Sequence, residues 1–239
     1  MNFKMRTFNF LVILVLIVLG CKNRINITKN DTNEVVFQSV LDSIYKKNKN
    51  CIGLMVHVEA PDKNISWSGV IGVSDTINKE KLQINQPVLI ASNTKTYVAA
   101  AILILVEQNK IRLNDAIEDY ITKKSQLVLE KGGYKINNIK LKHLLSHTSG
   151  IFDYAGTDEY FERIIKNPKH RWTRDEQIDL AITLGKPLGN VGEVFAYADT
   201  NYLLLTEIIE TITKKVFYHL IVVTRDRLNY VGYLQMLLN

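Results

Sequence analysis

The chain has 239 residues, 46% of them hydrophobic and 23% charged, an ordinary globular composition with enough apolar material for one good core or two small lobes. Its formal charge is +6, but the basic residues are scattered and no recognition motif accompanies them, which argues against a nucleic-acid partner. Two cysteines, Cys21 and Cys51, exclude a disulfide framework and a cysteine-built zinc site.

Taken in chain order, Lys4 and Arg6 precede an apolar run from Phe10 to Leu19, followed by Gly20 and Cys21. The run is shorter than the ~20 residues a membrane span needs, so it reads as an export signal. The ending Val18-Leu19-Gly20-Cys21 resembles a bacterial lipobox, which implies cleavage before Cys21, acylation of its thiol and a body held outside the cytoplasm on a membrane. An uncleaved signal anchor gives the same location. Residues 1–20 are thus read as a lipoprotein signal peptide and 21–34, rich in Asn and Thr, as a tether. Cys51 is then a lone thiol, expected to be buried at a strand start.

Phe37, Val40, Leu41 and Ile44 recur at helical spacing and predict a helix over roughly Asn33 to Lys47. Two strand-like runs, Ile52 to Glu59 and Ile65 to Ile71, flank the turn signal Pro61-Asp62-Lys63-Asn64 and predict a hairpin. A loop ends at Pro87, and an apolar helix follows. Residues 113–190 read as a mostly helical insertion of short pieces: "KIRLNDAIEDYI", "IKLKHLL", "DEYFERII" and "RDEQIDLAITL", with Asp115, Asn138 and Thr173 as start signals. Gly192 serves a turn, and a last amphipathic helix starts near Thr200.

The mouth of the apolar helix carries Ser92 and Lys95, three apart and therefore on one helical face. A serine hydroxyl needs a base to become a nucleophile, and a lysine is that base only when its pKa falls well below about 10.4. Burial and a helix N-terminus both push in that direction. The pair alone is equally readable as a helix cap, with Ser92 as N-cap and Lys95 exposed.

Three blocks in order change that balance: "IASNTKTYVAAAILILVEQNKIRLNDAI", "IKLKHLLSHTSGI" and "VFAYADTNYLLLTEII". Together they resemble the serine β-lactamase-related family of class C β-lactamases, D-alanyl-D-alanine carboxypeptidases and related esterases, from about Gly53 to Lys215. The resemblance implies an α/β (α+β) fold of β-lactamase/transpeptidase type: an antiparallel sheet flanked by helices plus a mostly helical lobe. By motif match it implies Ser92 as acylated nucleophile, Lys95 as general base and Tyr197 as the tyrosine that completes the proton network. Asp199 stands at a substrate-binding position where the family has Asn. A carboxylate there has no donor and is expected to raise the pKa of Lys95. His147, in the second block, is read as part of a structural loop rather than a catalytic base, since no G-x-S-x-G elbow accompanies it. His143, His170 and His219 are read as surface or core residues. The resemblance implies no cofactor and no metal.

The pattern departs from the family after Lys215. The third family motif, Lys/His-x-Gly, has no counterpart: the only glycine after Gly192 is Gly232, preceded by Tyr230-Val231. Residues 35–215 are therefore read as an incomplete serine hydrolase domain lacking its C-terminal strands, and 216–239 as a divergent tail. The expectation is a chain shortened near residue 215, with low stability and weak activity, whose Val216 to Val223 could serve as a substitute strand. Three readings follow: a membrane-anchored, monomeric serine hydrolase acting on a small molecule or a peptidoglycan peptide, a non-catalytic binder or sensor of such ligands, or an inactive truncated fragment.

Overall fold

The computed structural model describes residues 32–217. The signal peptide, Cys21 and nearly all of the tether lie outside the described residues, as do His219 and the tail beyond Phe217. The chain divides into two compact units at Leu89/Ile90.

In the first unit, α1 spans Asn33–Lys47 and buries Leu41. Its position matches the helical spacing. It packs on a two-stranded antiparallel sheet, β1 (Gly53–Ala60) and β2 (Ile65–Gly72), with Gly53 opposite Gly72 and Ala60 opposite Ile65. The predicted turn is a 3₁₀ turn over Pro61–Lys63, closed by Asn64 at φ 57°. Pro at the first turn position and Asn in the left-handed region are what such a reversal requires. A Cβ on Gly69 would meet the Trp67 ring at 2.3 Å, so the glycine lets the indole lie across the sheet. There it meets Phe37 at a ring separation of 5.4 Å. Cys51 is half-buried rather than buried: it precedes β1 by two residues, and its thiol bonds Gly53 O at 3.2 Å.

The second unit is helical. α2 spans Thr94–Glu107 and buries Val98, Ala101, Ile102 and Leu105, the i, i+3, i+4, i+7 stripe of an amphipathic helix. α3 (Lys123–Lys131), α4 (Leu141–Leu145), α5 (Asp158–Lys166), α6 (Arg174–Leu184) and α7 (Asp199–Thr213) follow. The core forms where α7 packs against α2 and α4, with Ile102, Leu105, Leu141, Leu144, Leu204 and Ile208 among its fully buried side chains. Phe217 joins this core, and its N–H bonds the Glu210 carboxylate at 2.7 Å.

Two of the three start signals are corrected. Thr173 does cap α6, in a capping box with Glu176. Asp115 starts no α-helix: its carboxylate accepts from Arg112 N and Tyr120 Oη, each at 2.8 Å, and fixes a 3₁₀ turn at Ile117–Asp119. Asn138 ends a 3₁₀ turn, and α4 starts at Leu141 behind Lys140. The helix α3 escapes the sequence reading because it buries only Ser125 and Leu129, too sparse a pattern to show a period.

Candidate functional site

Ser92 lies in a 3₁₀ turn, Ala91–Asn93, that runs directly into α2. Ala91 is held at φ 44°, a left-handed conformation that costs a non-glycine residue on the order of 1 kcal/mol. Strain beside a reactive group is a feature of sites whose surroundings over-determine the backbone. Ser92 is not the helix cap: the cap position is Asn93, with no side-chain capping bond. Lys95, in the first turn of α2, is not exposed either; its side chain keeps 17% of its surface.

Both sequence-predicted partners converge on Ser92 Oγ. Lys95 Nζ lies 3.1 Å away and Tyr197 Oη 2.9 Å away, each donating to the hydroxyl oxygen. Lys95 Nζ also pairs with Asp199 Oδ1 at 2.5 Å and sits 4.9 Å from the centre of the Tyr197 ring. The four residues singled out in the sequence, Ser92, Lys95, Tyr197 and Asp199, thus form one cluster within the helical unit.

The electrostatics run partly against the sequence expectation. Burial does push the Lys95 pKa down, but the hydrogen bonds that Lys95 makes with Asp199 and Tyr197 and the Asp199 charge outweigh it, and the net shift is upward. The direction expected of Asp199 is therefore the one that prevails. Lys95 is thus an ammonium at neutral pH and Ser92 Oγ accepts from both neighbours; proton removal from Ser92 requires the minor, neutral amine.

Residues that the sequence left in the background build the support. Asp153 Oδ1 accepts from Asp199 N at 2.9 Å and Ala155 N at 3.3 Å, fixing the first turn of α7. Burial raises the Asp153 pKa, and the Asp199 charge adds to this against the two amide bonds and Lys95. His147 stacks on Tyr197 with ring centres 4.4 Å apart and meets Tyr202 in a tilted arrangement at 5.1 Å. His147 and Tyr202 lie in the second and third blocks, but Asp153 falls outside all three and left no sign in the sequence.

Glycines shape the loops around the cluster. Gly192 has φ 88°, the turn geometry expected of it, and its N–H bonds Thr148 O at 2.8 Å. Gly150, next to Ser149, has φ 75°, and a Cβ there would meet Gly189 O at 2.8 Å. Gly150→Ala should therefore cost about 1–3 kcal/mol from backbone strain and the forced shift of Gly189. A thermal melt checks this; an unchanged midpoint would show that the loop relaxes freely.

Among the described residues no His, Cys, Asp and Glu side chains gather three at a time as a metal site would require. No described helix is long and apolar enough to cross a membrane.

Comparison with known proteins supplies the context. The family model described as Beta-lactamase matches residues 40–221. Protein flp of Staphylococcus aureus (strain MW2) is 31% identical over 144 residues, which is 60% of this chain and 27% of that protein. Penicillin-binding protein 4* of Bacillus subtilis (strain 168) is 26% identical over 159 residues, 66% of this chain and 32% of that one. Among solved structures, a D-stereospecific amidohydrolase from Streptomyces sp. superposes with a TM-score of 0.63 at 22% identity, covering 78% of this chain and 51% of that one. The chain thus spans roughly a third or less of these two curated relatives and about half of the structural one. The structural likeness supports the β-lactamase/transpeptidase-like fold, here with a small antiparallel sheet and a helix-rich remainder.

Proposed function

The chain belongs to the beta-lactamase family, and on that premise we propose that it is a serine hydrolase that transfers the acyl group of an amide, ester or β-lactam to Ser92. One observation carries the reading: Ser92 Oγ sits within hydrogen-bond reach of both an amine and a phenol, Lys95 at 3.1 Å and Tyr197 at 2.9 Å. A structural serine has no use for two such partners at the strained entrance of a helix.

The reaction runs through neutral Lys95. Its amine takes the Ser92 hydroxyl proton while Oγ forms a bond to the substrate carbonyl carbon. The carbonyl electron pair moves onto oxygen, which backbone N–H groups stabilise, the Ser92 amide among them. When the tetrahedral centre collapses, the bond to the leaving nitrogen or oxygen breaks, and the proton held by Lys95 passes to it by way of Tyr197. Water then cleaves the Ser92 ester by the same proton route, releasing the acid and restoring the hydroxyl. The substrate class includes D-alanine peptides of the cell wall and β-lactams, in keeping with the penicillin-binding relative. The export signal and Cys21 pattern support a lipid-anchored location at the cell envelope, facing away from the cytoplasm.

A second reading rests on the Lys95–Asp199 pair. An amine held as ammonium acylates slowly and deacylates slowly, which suits a penicillin-binding sensor rather than a hydrolase. Intact-mass measurement after incubation with benzylpenicillin, beside Ser92→Ala, tests both. An adduct on the parent that disappears with time is expected for the hydrolase, and one that persists for the sensor. An adduct that also forms on Ser92→Ala, or none on folded parent protein, would overturn the assignment of Ser92.

A further inference from the structure

We propose that His147 is the positioning residue of Tyr197, and that it holds the tyrosine on Ser92 only while its Nδ1 is unprotonated. The functional consequence rests on the acyl-transfer reading above; the structural part does not.

The argument begins with backbone on either side of Tyr197. Ala196 N–H donates to His147 O at 2.9 Å, and Ala198 N–H donates to His147 Nδ1 at 3.1 Å. One residue thus grips the chain immediately before and after Tyr197. The same imidazole lies against the Tyr197 ring at 4.4 Å with an interplanar angle of 27°. His147 itself is 8% exposed and held at φ 55°, with the Tyr202 ring 5.1 Å away and the Tyr202 hydroxyl donating to Leu145 O at 3.1 Å. The loop has been wound into an unfavourable conformation to place this ring.

The hydrogens of the network have one consistent direction. Ile151 N–H is a fixed donor and bonds Ser149 Oγ at 3.1 Å. The Ser149 hydroxyl hydrogen is then free to donate to Asn201 Oδ1 at 2.6 Å. This puts the Asn201 amide nitrogen toward His147 Nδ1, at 3.2 Å. Nδ1 therefore receives an N–H from Asn201 and another from Ala198, and two donors require a lone pair. A proton on Nδ1 would set three N–H groups against one another. Turning Asn201 over does not cure this: Ser149 Oγ has a second lone pair for the NH₂ and the amide oxygen would face Nδ1, but the Ala198 N–H is a fixed backbone donor and would still point at the Nδ1 proton. All four of these polar side-chain and backbone partners are buried, where a lost bond is expensive.

The charged groups around the ring are Lys95 from α2, Asp199 from the start of α7 and Asp153 from the loop after α4; the phenols of Tyr197 and Tyr202 face it as well. Burial and the Lys95 charge lower the His147 pKa, against the weaker pull of the Asp199 and Asp153 charges; the Ala198 bond, made only to an unprotonated Nδ1, favours the neutral ring. The ring is thus neutral at neutral pH and titrates below the ordinary histidine range. Its protonation breaks the Ala198 and Asn201 bonds and frees Tyr197 from its place.

This predicts a two-stage acid side to acylation. Below the Lys95 pKa the acylation rate rises tenfold per pH unit, because one proton must leave Lys95. Below the His147 pKa it should rise about a hundredfold per unit, because a second proton must leave. The experiment combines benzylpenicillin acylation rates across pH with NMR of the full chain: the His147 ¹⁵N shifts, the Tyr197 ring signals and the exchange of the Ala198 amide. His147→Asn keeps an acceptor near the Nδ1 place and tolerates positive φ, so it should retain Ala198 protection and show a tenfold slope throughout. His147→Leu should lose Ala198 protection and lower acylation at least about tenfold at neutral pH.

A parent Nδ1 that carries the proton at neutral pH would overturn the proposal. So would a hundredfold slope that persists in His147→Asn, or Tyr197 signals indifferent to the His147 titration. If His147→Leu fails to fold, the Asn variant and the parent titration decide. If the parent forms no adduct at any pH, the acyl-transfer reading fails, while the coupling of His147 titration to Tyr197 and Ala198 still decides the structural claim.

Discussion

Asp199→Asn should acylate faster than the parent at neutral pH, by about tenfold for each unit that the Lys95 pKa falls. Asparagine keeps an oxygen toward Lys95 Nζ and keeps the backbone N–H that bonds Asp153, so the geometry has every reason to persist. What disappears is the negative charge. Burial already pushes Lys95 downward, and it is the Asp199 bond and charge, with help from Tyr197, that hold the pKa above its ordinary value. Without them the neutral amine is more populated at any given pH, and the rising limb of the acylation profile moves to lower pH. Measuring the second-order rate with benzylpenicillin from pH 6 to pH 10 reads this directly. An unmoved limb, or a slower variant at every pH, would mean that the carboxylate takes part in catalysis instead of restraining it.

The same substitution should carry a cost in stability with a defined pH window. A lysine whose pKa is raised on folding contributes stability that is fully present below its unfolded value, about 10.4, and is lost as pH rises through the folded value. Parent and Asp199→Asn should therefore differ in melting temperature at pH 7 to 9 and converge toward strongly alkaline pH. The charge that steadies the site is the charge that slows it.

How far the sequence revealed this arrangement depended on the kind of information each feature needed. The helix Asn33–Lys47 and the hairpin were visible because a local period of 3.6 or 2 and a Pro-Asp-Lys-Asn turn encode them. The cluster of Ser92, Lys95, Tyr197 and Asp199 was visible only through three ordered blocks, since 105 positions separate Ser92 from Tyr197. The net sign of the Lys95 shift was harder: burial and an ion pair oppose each other, and only distances decide between them. His147, Asn201 and Ser149 were least legible. Each is a common polar residue in an apolar neighbourhood, and its role is a direction of hydrogen bonding that no spacing encodes. The short helix α3 was missed because it buries too few residues to show a period, and the carboxylate that receives its first turn comes from a residue 85 positions away.

That carboxylate belongs to Glu207 on α7, and removing it should produce the largest loss of stability among the changes considered. Glu207 is 4% exposed. Its Oε1 accepts from Thr122 N at 2.8 Å, and its Oε2 accepts from Ser125 Oγ at 2.8 Å. Thr122 is the N-cap of α3, where the helix dipole favours a negative charge. Glu207→Ala leaves a partly buried N–H and a buried hydroxyl without acceptors and removes the charge from the helix start. The expected cost is about 3 kcal/mol, or roughly 10 °C in melting temperature for a chain of this size. Glu207→Gln keeps one acceptor oxygen and lets the Ser125 hydroxyl turn, so it should lose only about 1 kcal/mol. Because α7 begins at Asp199 and carries Asn201, the alanine variant should also weaken amide protection around the site as the helix loosens. Thermal melts of the three proteins give the answer. An alanine variant within 2 °C of the parent would show that water replaces the carboxylate at no cost and that α3 is held by its apolar contacts instead.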